Sequence, residues 1–267
     1  MKHLSLVPSV LLLSLTASAS AEKNNSTAEA GVFITLKQSD GSEFRGFVAG
    51  PAKANVAVLV VHDYFGISDA TQQSVKHLGA LGYRSLAVDL YAGKSATSHQ
   101  EAVKLMQSLD RKMTDNVLQA GLDYLKQPGR KLATIGFSMG AQESLNANLN
   151  DPEAVSATVM IYGSGFDKLD SRSLARLRGP VLVIAGAEDS GATQSAINFF
   201  SNMRQVNRPY EMLIYPGADH GYAQPLFNEG KNYNAEAVRA TWVLVDDFIA
   251  HAFSQDVQPS RKALAGK

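Results

Sequence analysis

The sequence contains no cysteine among its 267 residues. The chain therefore has no disulfide bond, no thiol nucleophile and no cysteine ligand for a metal. A lipid anchor of the bacterial lipoprotein kind is excluded for the same reason. Stability must come from an ordinary hydrophobic core, which a content of 45% apolar residues can supply.

An excess of charge of either sign is also missing. The chain has 25 lysine and arginine residues against 25 aspartate and glutamate residues. Proteins that bind nucleic acid usually present a basic face, and strongly acidic surfaces or tails carry a large negative net charge. We therefore expect no nucleic-acid partner. Internal repeats and low-complexity linkers are lacking too, which indicates a single domain.

No apolar run is long enough to cross a bilayer. The N-terminal run from Leu4 to Leu15 holds roughly a dozen residues, fewer than a membrane-spanning helix needs. Basic Lys2 precedes it, and the small residues 19–21 follow it. This pattern is typical of a secretory signal peptide, predicted over 1–21. We expect export, to the periplasm or alternatively to the medium, with no membrane span after removal of the signal.

The remaining chain alternates strand and helix patterns. Residues 22–30 are predicted as a flexible lead-in, 31–254 as the folded domain and 255–267 as a polar tail. Predicted strands cover 32–36, 43–49, 56–61, 84–88, 131–137, 157–162, 180–185 and 210–215. Predicted helices cover 69–81, 98–109, 114–126, 192–204 and 235–253, and another helix begins after Gly140. This alternation predicts an α/β fold with a mostly parallel central sheet and helices on both faces.

The most informative motif is the pentapeptide 136–140 (GFSMG), which places Ser138 between two glycines. A predicted strand precedes it and a run of helix formers follows. A serine at such a strand-to-helix turn is a nucleophile elbow, which exposes the hydroxyl above the sheet at a helix N-terminus. A side chain at either glycine position would collide with neighbouring backbone. The pattern predicts that Ser138 is a catalytic nucleophile.

A serine nucleophile needs a base and an acid that orients the base. In hydrolases with this sheet the chain order is serine, acid, histidine. His220 follows the strand 210–215 in a glycine-rich loop, so it is the predicted base. His62 precedes the serine and is out of order. His77 and His99 fall on predicted helices.

The predicted acid is Asp189, at the end of the strand 180–185. Glu188 is its rival, because a one-residue shift in the loop would exchange the two. Asp219 adjoins His220 in sequence, which makes a bond to the same ring awkward. Its expected role is to cap the loop.

An oxyanion hole is expected from two backbone N–H groups. One belongs to Met139, directly after the nucleophile. The other is assigned to Tyr64, in the loop after the strand 56–61, where Gly66 permits a tight backbone path.

Seven stretches of the sequence together resemble the dienelactone hydrolase family of the α/β-hydrolase superfamily. The matching stretches are 61–66 (VHDYFG), 89–92 (DLYA), 136–140 (GFSMG), 160–163 (MIYG), 186–189 (GAED), 215–220 (YPGADH) and 233–253. They follow the family's order from about residue 30 to residue 253. The resemblance implies an α/β-hydrolase fold, a triad of Ser138, Asp189 and His220, and oxyanion amides at Tyr64 and Met139.

Three positions depart from the enzymes that gave the family its name. Those enzymes carry a cysteine where this chain has Ser138, a glutamate where it has Asp63 and an arginine where it has Gly93. A serine needs no control of its resting charge, which leaves Asp63 as a loop anchor or a substrate contact. The lost arginine removes a carboxylate clamp and argues against dienelactone as the substrate.

The resulting expectation is a serine hydrolase that cleaves small carboxylic esters or lactones, without metal or organic cofactor. The alternatives are a peptidase or acyltransferase with the same triad, or a hydrolase-fold binding protein without turnover. Phe65, Tyr91 and Tyr222, like Tyr64, fall in loops at the catalytic edge and could line a pocket or pack only on one another. The lone tryptophan, Trp242, is predicted to pack in the core. The oligomeric state is not predicted.

Overall fold

The computed structural model describes residues 30–38 and 41–254. The predicted signal peptide, nearly all of the predicted lead-in and the predicted tail lie outside the described residues. The strands are β1 Val32–Lys37, β2 Glu43–Ala49, β3 Val56–Val61, β4 Arg84–Val88, β5 Lys131–Phe137, β6 Val155–Ile161, β7 Val181–Gly186 and β8 Tyr210–Tyr215. The helices are α1 Asp69–Ala80, α2 His99–Gln107, α3 Arg111–Leu125, α4 Met139–Asn150, α5 Ser171–Leu174, α6 Ser190–Gln205 and α7 Ala235–Ser254.

The eight strands form one sheet in the order β1-β2-β4-β3-β5-β6-β7-β8. β2 runs antiparallel to β1 and to β4, whereas every pair from β4 to β8 across the sheet is parallel. Parallel neighbours need crossover connections, which the helices supply. The predicted α/β class and mostly parallel sheet are confirmed.

Helices cover both faces of the sheet because the central strands are apolar on both sides. On β3, Val58 and Val60 face a core shared with α1 and α7. Leu59 and Val61 face the opposite core, which α3 covers. A third core joins α4, α5 and α6 to β7. This two-sided burial explains why the sequence of β3 is a continuous apolar run.

Several predicted boundaries were wrong by a few residues because capping side chains extend the helices. α3 begins at Arg111, since the Asp110 carboxylate accepts the Met113 N–H at 2.8 Å. α6 begins at Ser190 for the same reason, with Asp189 as its N-cap. The short helix α5 and the 3-10 turns Phe166–Lys168 and Phe227–Gly230 were not predicted.

The parallel strands bring four separate loops to one edge of the sheet. β3, β5, β7 and β8 end at this edge, and residues 62–66, 138, 187–189 and 216–222 follow them directly. Ligand sites in open parallel sheets lie at this edge. Over residues 30–38 and 41–254, no helix combines the length and apolar character that a membrane crossing requires.

Candidate active site

Ser138 lies at a sharp turn between β5 and α4. Its backbone has φ 54° and ψ −117°, a conformation that side chains disfavour. A Cβ on Gly136 would lie 1.8 Å from the Gly140 carbonyl oxygen, and a Cβ on Gly140 would lie 2.4 Å from the Val61 carbonyl oxygen. Both distances are far below van der Waals contact. The prediction that this turn needs glycine on either side of the serine is confirmed.

The side chains of Ser138, His220 and Asp189 form a continuous chain of hydrogen bonds. The Ser138 Oγ lies 2.9 Å from the His220 Nε2, and the His220 Nδ1 lies 2.6 Å from the Asp189 Oδ2. The serine donates to Nε2 when Nδ1 carries the ring proton and donates to the carboxylate. The His220 side chain is 32% exposed and the Asp189 side chain is 11% exposed. The histidine is therefore open to solvent, whereas the carboxylate is mostly buried.

Asp189 is held by two elements at once. Its Oδ1 accepts the Ala192 N–H at 3.0 Å, which caps α6, while its Oδ2 binds the His220 ring. Partial burial acts to raise the pKa of the Asp189 carboxyl. The hydrogen bonds from His220 and Ala192 outweigh that effect, so the pKa lies below its ordinary value. The carboxylate is thus ionised at neutral pH.

The two rival acids lie elsewhere. Glu188 is exposed, and its backbone N–H donates to the Ala218 carbonyl oxygen. The Asp219 Oδ1 accepts the backbone N–H of His220 at 2.7 Å, which is the loop-capping bond predicted for it. Of the three candidates, Asp189 is the one that binds the His220 ring.

The backbone N–H groups of Tyr64 and Met139 have no acceptor within the part of the chain that the structure describes. Met139 is the first residue of α4, where an N–H group has no partner in its own helix. Two unpaired N–H groups, one on the residue after Ser138 and one in the loop after β3, are what a developing oxyanion requires.

His62 fixes the peptide group that carries the Tyr64 N–H. The Leu90 N–H donates to the His62 Nε2 at 3.2 Å, so the ring proton is on Nδ1, which donates to the Asp63 carbonyl oxygen at 2.5 Å. Burial lowers the pKa of His62 and keeps the ring neutral. In a trans peptide the N–H points away from the C=O. Because the His62 ring holds the Asp63 carbonyl oxygen, the Tyr64 N–H of the same peptide group points away from His62.

Asp63 is a buried anchor of this loop. Its Oδ1 accepts the Phe65 N–H at 2.9 Å and its Oδ2 accepts the Gln224 Nε2–H at 2.7 Å. Burial raises the pKa of Asp63 to about 6, although the hydrogen bonds from Gln224 and Phe65 act in the opposite direction. Gln224 lies 161 positions away, and sequence reasoning missed it. A lone glutamine in a loop carries no signal for this contact.

The aromatic residues of the loops at the catalytic edge are buried. Phe65 and Tyr222 are fully buried, and the Tyr222 hydroxyl lies 2.6 Å from the Thr241 Oγ1. Tyr91 is 5% exposed and directs its hydroxyl to the Met139 sulfur at 3.4 Å. Of the two roles left open for these rings, packing on neighbouring residues fits Phe65 and Tyr222.

Three contacts that were not predicted join aromatic side chains beside the triad histidine. The Tyr64 hydroxyl lies 2.9 Å from the Nδ1 of His99, the first residue of α2. The Phe227 ring lies 5.2 Å from the His220 ring and 6.0 Å from the Tyr64 ring, between centroids. Tyr64, His99 and Phe227 thus form an aromatic rim beside the His220 ring.

A cavity of about 400 Å³ lies between α1 and α7, beneath the loop 223–233. We call it the α1–α7 cavity. Asp63, Phe137, Tyr162 and Trp242 line it, whereas Ser138 and His220 do not. Trp242 packs against the core as predicted, and its half-buried ring also forms one wall of the cavity.

Within residues 30–38 and 41–254, no group of three or more histidine, aspartate and glutamate side chains is arranged to hold a metal ion.

Comparisons with known proteins agree with this geometry. The model of the dienelactone hydrolase family matches residues 44–253. A relative from Saccharolobus solfataricus is 24% identical over 253 residues and covers 79% of this chain and 95% of its own length. The carboxymethylenebutenolidase of Pseudomonas putida is 24% identical over 204 residues, which are 72% of this chain and 85% of that enzyme.

A solved structure shows the same fold. The crystal structure of a dienelactone hydrolase-like promiscuous phosphotriesterase from metagenomic libraries superimposes with a TM-score of 0.72 at 22% identity, covering 83% of this chain and 98% of that one. The fold and the matched residues make the chain a hydrolase of the α/β-hydrolase superfamily, in the class of carboxylic ester hydrolases. The chain belongs to the dienelactone hydrolase family.

Proposed function

We propose that this enzyme is a serine hydrolase that cleaves small carboxylic esters or lactones through an acyl-enzyme on Ser138. The observation that carries the proposal is the unbroken hydrogen-bond chain from the Ser138 hydroxyl through His220 to the ionised Asp189. Folding alone does not require these three groups to meet. Their order along the chain is also the order of the α/β-hydrolase triad.

The first half of the reaction forms the acyl-enzyme. The Ser138 Oγ attacks the carbonyl carbon of the ester while its proton moves to the His220 Nε2. Asp189 stabilises the resulting imidazolium through Nδ1. The negative charge on the former carbonyl oxygen is stabilised by the N–H groups of Met139 and Tyr64. When the tetrahedral intermediate collapses, the C–O bond to the alcohol breaks and the His220 proton passes to the leaving oxygen.

The second half returns the enzyme to its starting state. His220 takes a proton from a water molecule, and the hydroxide attacks the acyl carbon. Collapse of this second intermediate breaks the bond to the Ser138 oxygen, which recovers its proton from His220. The carboxylic acid leaves. Each proton that His220 accepts is thus given back within the same half-reaction.

Small substrates fit the surroundings of the serine. The aromatic rim of Tyr64, His99 and Phe227 lies beside the His220 ring, which favours short acyl groups over long lipid chains. Gly93 stands where the resemblance places an arginine that holds a substrate carboxylate, which favours esters without that group. The predicted signal peptide supports the further proposal that hydrolysis takes place outside the cytoplasm.

The test is turnover of p-nitrophenyl acetate, butyrate and octanoate by the protein and by its Ser138→Ala variant. We expect hydrolysis that falls from acetate to octanoate and that the variant loses. Equal turnover by both proteins would remove Ser138 from the reaction. Failure of the folded wild type on all three esters would favour a binding role or an acyl transfer to another acceptor.

A further inference from the structure

The α1–α7 cavity is a separate compartment next to the triad. Its inner end is formed by residues that adjoin the active site: Phe137 precedes Ser138, and the Tyr162 ring lies 5.7 Å from the His220 ring. Its outer end reaches the surface at Tyr233, which is 45% exposed. A volume of about 400 Å³ is within the usual range for small-molecule sites.

One wall of the cavity is a continuous row of rings. The Trp242 ring lies 4.5 Å from the His77 ring and 6.3 Å from the Phe137 ring, between centroids. The Phe137 ring lies 6.0 Å from the Tyr162 ring. Three successive contacts thus join four rings from α1, α7 and the ends of β5 and β6. A ligand in the cavity would lie against aromatic surface along its length.

The charge in the cavity is negative. The Asp63 carboxyl lies at the inner end and Asp69 belongs to α1, while the described lining includes no lysine and no arginine. The only lining group that can become cationic, His77, already pairs with Asp246 at 3.0 Å. Asp63 is 4% exposed and receives its hydrogen bonds from two neutral donors. This buried carboxylate forms no ion pair with a lysine or an arginine of the cavity lining, and His220 is the cationic group that acts on it from the triad.

A polar group of the protein also opens into the cavity without a partner. Tyr162 is 1% exposed and lines the cavity, and its hydroxyl has no hydrogen bond within the described part of the chain. The Tyr162 hydroxyl oxygen is not sealed off in the core, so it is free to bind a ligand or a water molecule in the cavity.

We propose that the α1–α7 cavity binds a small organic ammonium cation. Ring faces attract a cation within about 6 Å, and the attraction is strongest where water is excluded. Asp63 and Asp69 supply the negative charge, and the Tyr162 hydroxyl oxygen can accept a hydrogen bond from an N–H or O–H group. An anion is disfavoured by the two carboxylates. For a bare metal ion, the described residues offer no group of three or more carboxylate and imidazole side chains in the cavity that could hold it.

The proposal stands apart from the proposed esterase function, because Ser138 and His220 do not line the cavity. Binding can be observed without turnover. Trp242 is the only tryptophan of the chain, so the intrinsic fluorescence of the protein reports directly on this wall. The Ser138→Ala variant should bind as the wild type does, and loss of esterase activity would leave the binding result unaffected.

The experiment titrates the full-length protein with choline and, separately, with 3,3-dimethylbutan-1-ol at constant ionic strength. The two probes have nearly the same shape, and the alcohol replaces the charged nitrogen with carbon. We expect saturable quenching of Trp242 fluorescence by choline, with an affinity about tenfold or more above that of the alcohol. Equal affinities would show a neutral apolar pocket and overturn the proposal. Absence of saturable binding would overturn it as well.

Two lining variants and one control variant locate the negative charge that binds the cation. Asp63→Asn should weaken choline binding about tenfold and leave the alcohol unaffected. The control is Asp247→Asn, which makes the same charge change at an exposed position of α7 that does not line the cavity. Asp69→Asn provides a second lining variant in case Asp63→Asn fails to fold. Equal loss in the control and in the lining variants would show screening by overall charge and contradict the assignment.

Discussion

Replacement of Asp63 by asparagine should change how the stability of the enzyme depends on pH. The wild-type carboxyl is 4% exposed, and burial raises its pKa from 3.8 to about 6. The folded state therefore holds the Asp63 proton more tightly than the unfolded state does. Asparagine preserves the size of the side chain and an acceptor for the Phe65 N–H but has no proton to release.

The raised pKa of Asp63 sets both the direction and the size of the change in the free energy of unfolding with pH. Between pH 3.8 and about 6, the folded wild type binds more protons than the unfolded chain, so its free energy of unfolding falls as the pH rises. At about 1.36 kcal/mol for each pH unit, the full loss is about 3 kcal/mol and is complete above about pH 6. The low pKa of Asp189 has the opposite effect, since its contribution is lost as the pH falls. Both proteins contain Asp189, so that contribution cancels in their difference.

The assay is urea denaturation of the wild type and of Asp63→Asn at a series of pH values from about 3.5 to about 7.5. The variant should gain about 3 kcal/mol relative to the wild type across this range. The altered bond to Gln224 changes the difference in free energy of unfolding between the two proteins by the same amount at every pH. It therefore leaves the pH dependence of that difference unchanged. A difference that does not vary with pH would refute the argument, because Asp63 would then titrate alike in both states.

Three further predictions concern the active-site turn and the triad. Ser138→Gly should be more stable to urea than Ser138→Ala by about 1 kcal/mol, because glycine adopts φ 54° and ψ −117° without strain; equal stability would mean that the turn is unstrained. Asp189→Asn should lower kcat on p-nitrophenyl acetate by about 10⁴ yet keep stability within about 1 kcal/mol, since asparagine can still cap α6; an unchanged kcat would remove Asp189 from the triad. Gly140→Ala should destabilise the fold by about 3 kcal/mol or more, because its Cβ would meet backbone oxygen at 2.4 Å. In Gly191→Ala the Cβ has no neighbour closer than 3.6 Å, so this control should stay stable, and equal loss in both would contradict the packing argument.

The residues of the triad could be predicted from the sequence because each follows a strand that the sequence identifies clearly. β5, β7 and β8 are short apolar runs, and parallel strands place their following loops at one edge. The choice between Asp189 and Glu188 was harder, since neighbouring residues of a loop point in different directions. The structure distinguishes them through the N-cap of α6, which fixes the Asp189 carboxylate in the turn before the helix.

The α1–α7 cavity could not be predicted, because its walls come from distant parts of the chain. Phe137, Tyr162 and Trp242 are each apolar residues in an apolar segment, and their patterns match core packing equally well. Only the arrangement of α1 against α7 leaves a space between them. The bond from Gln224 to Asp63 likewise joins two loops that nothing in their own sequences connects.

The central claim is that Ser138 carries the acyl group during turnover. The most direct measurement mixes the enzyme with p-nitrophenyl acetate, stops the reaction with acid within one turnover, and examines the peptides by mass spectrometry. We predict one acetyl group on the peptide that contains Ser138, and none in Ser138→Ala. Acetylation at another residue, or rapid hydrolysis by the Ser138→Ala variant, would contradict the account.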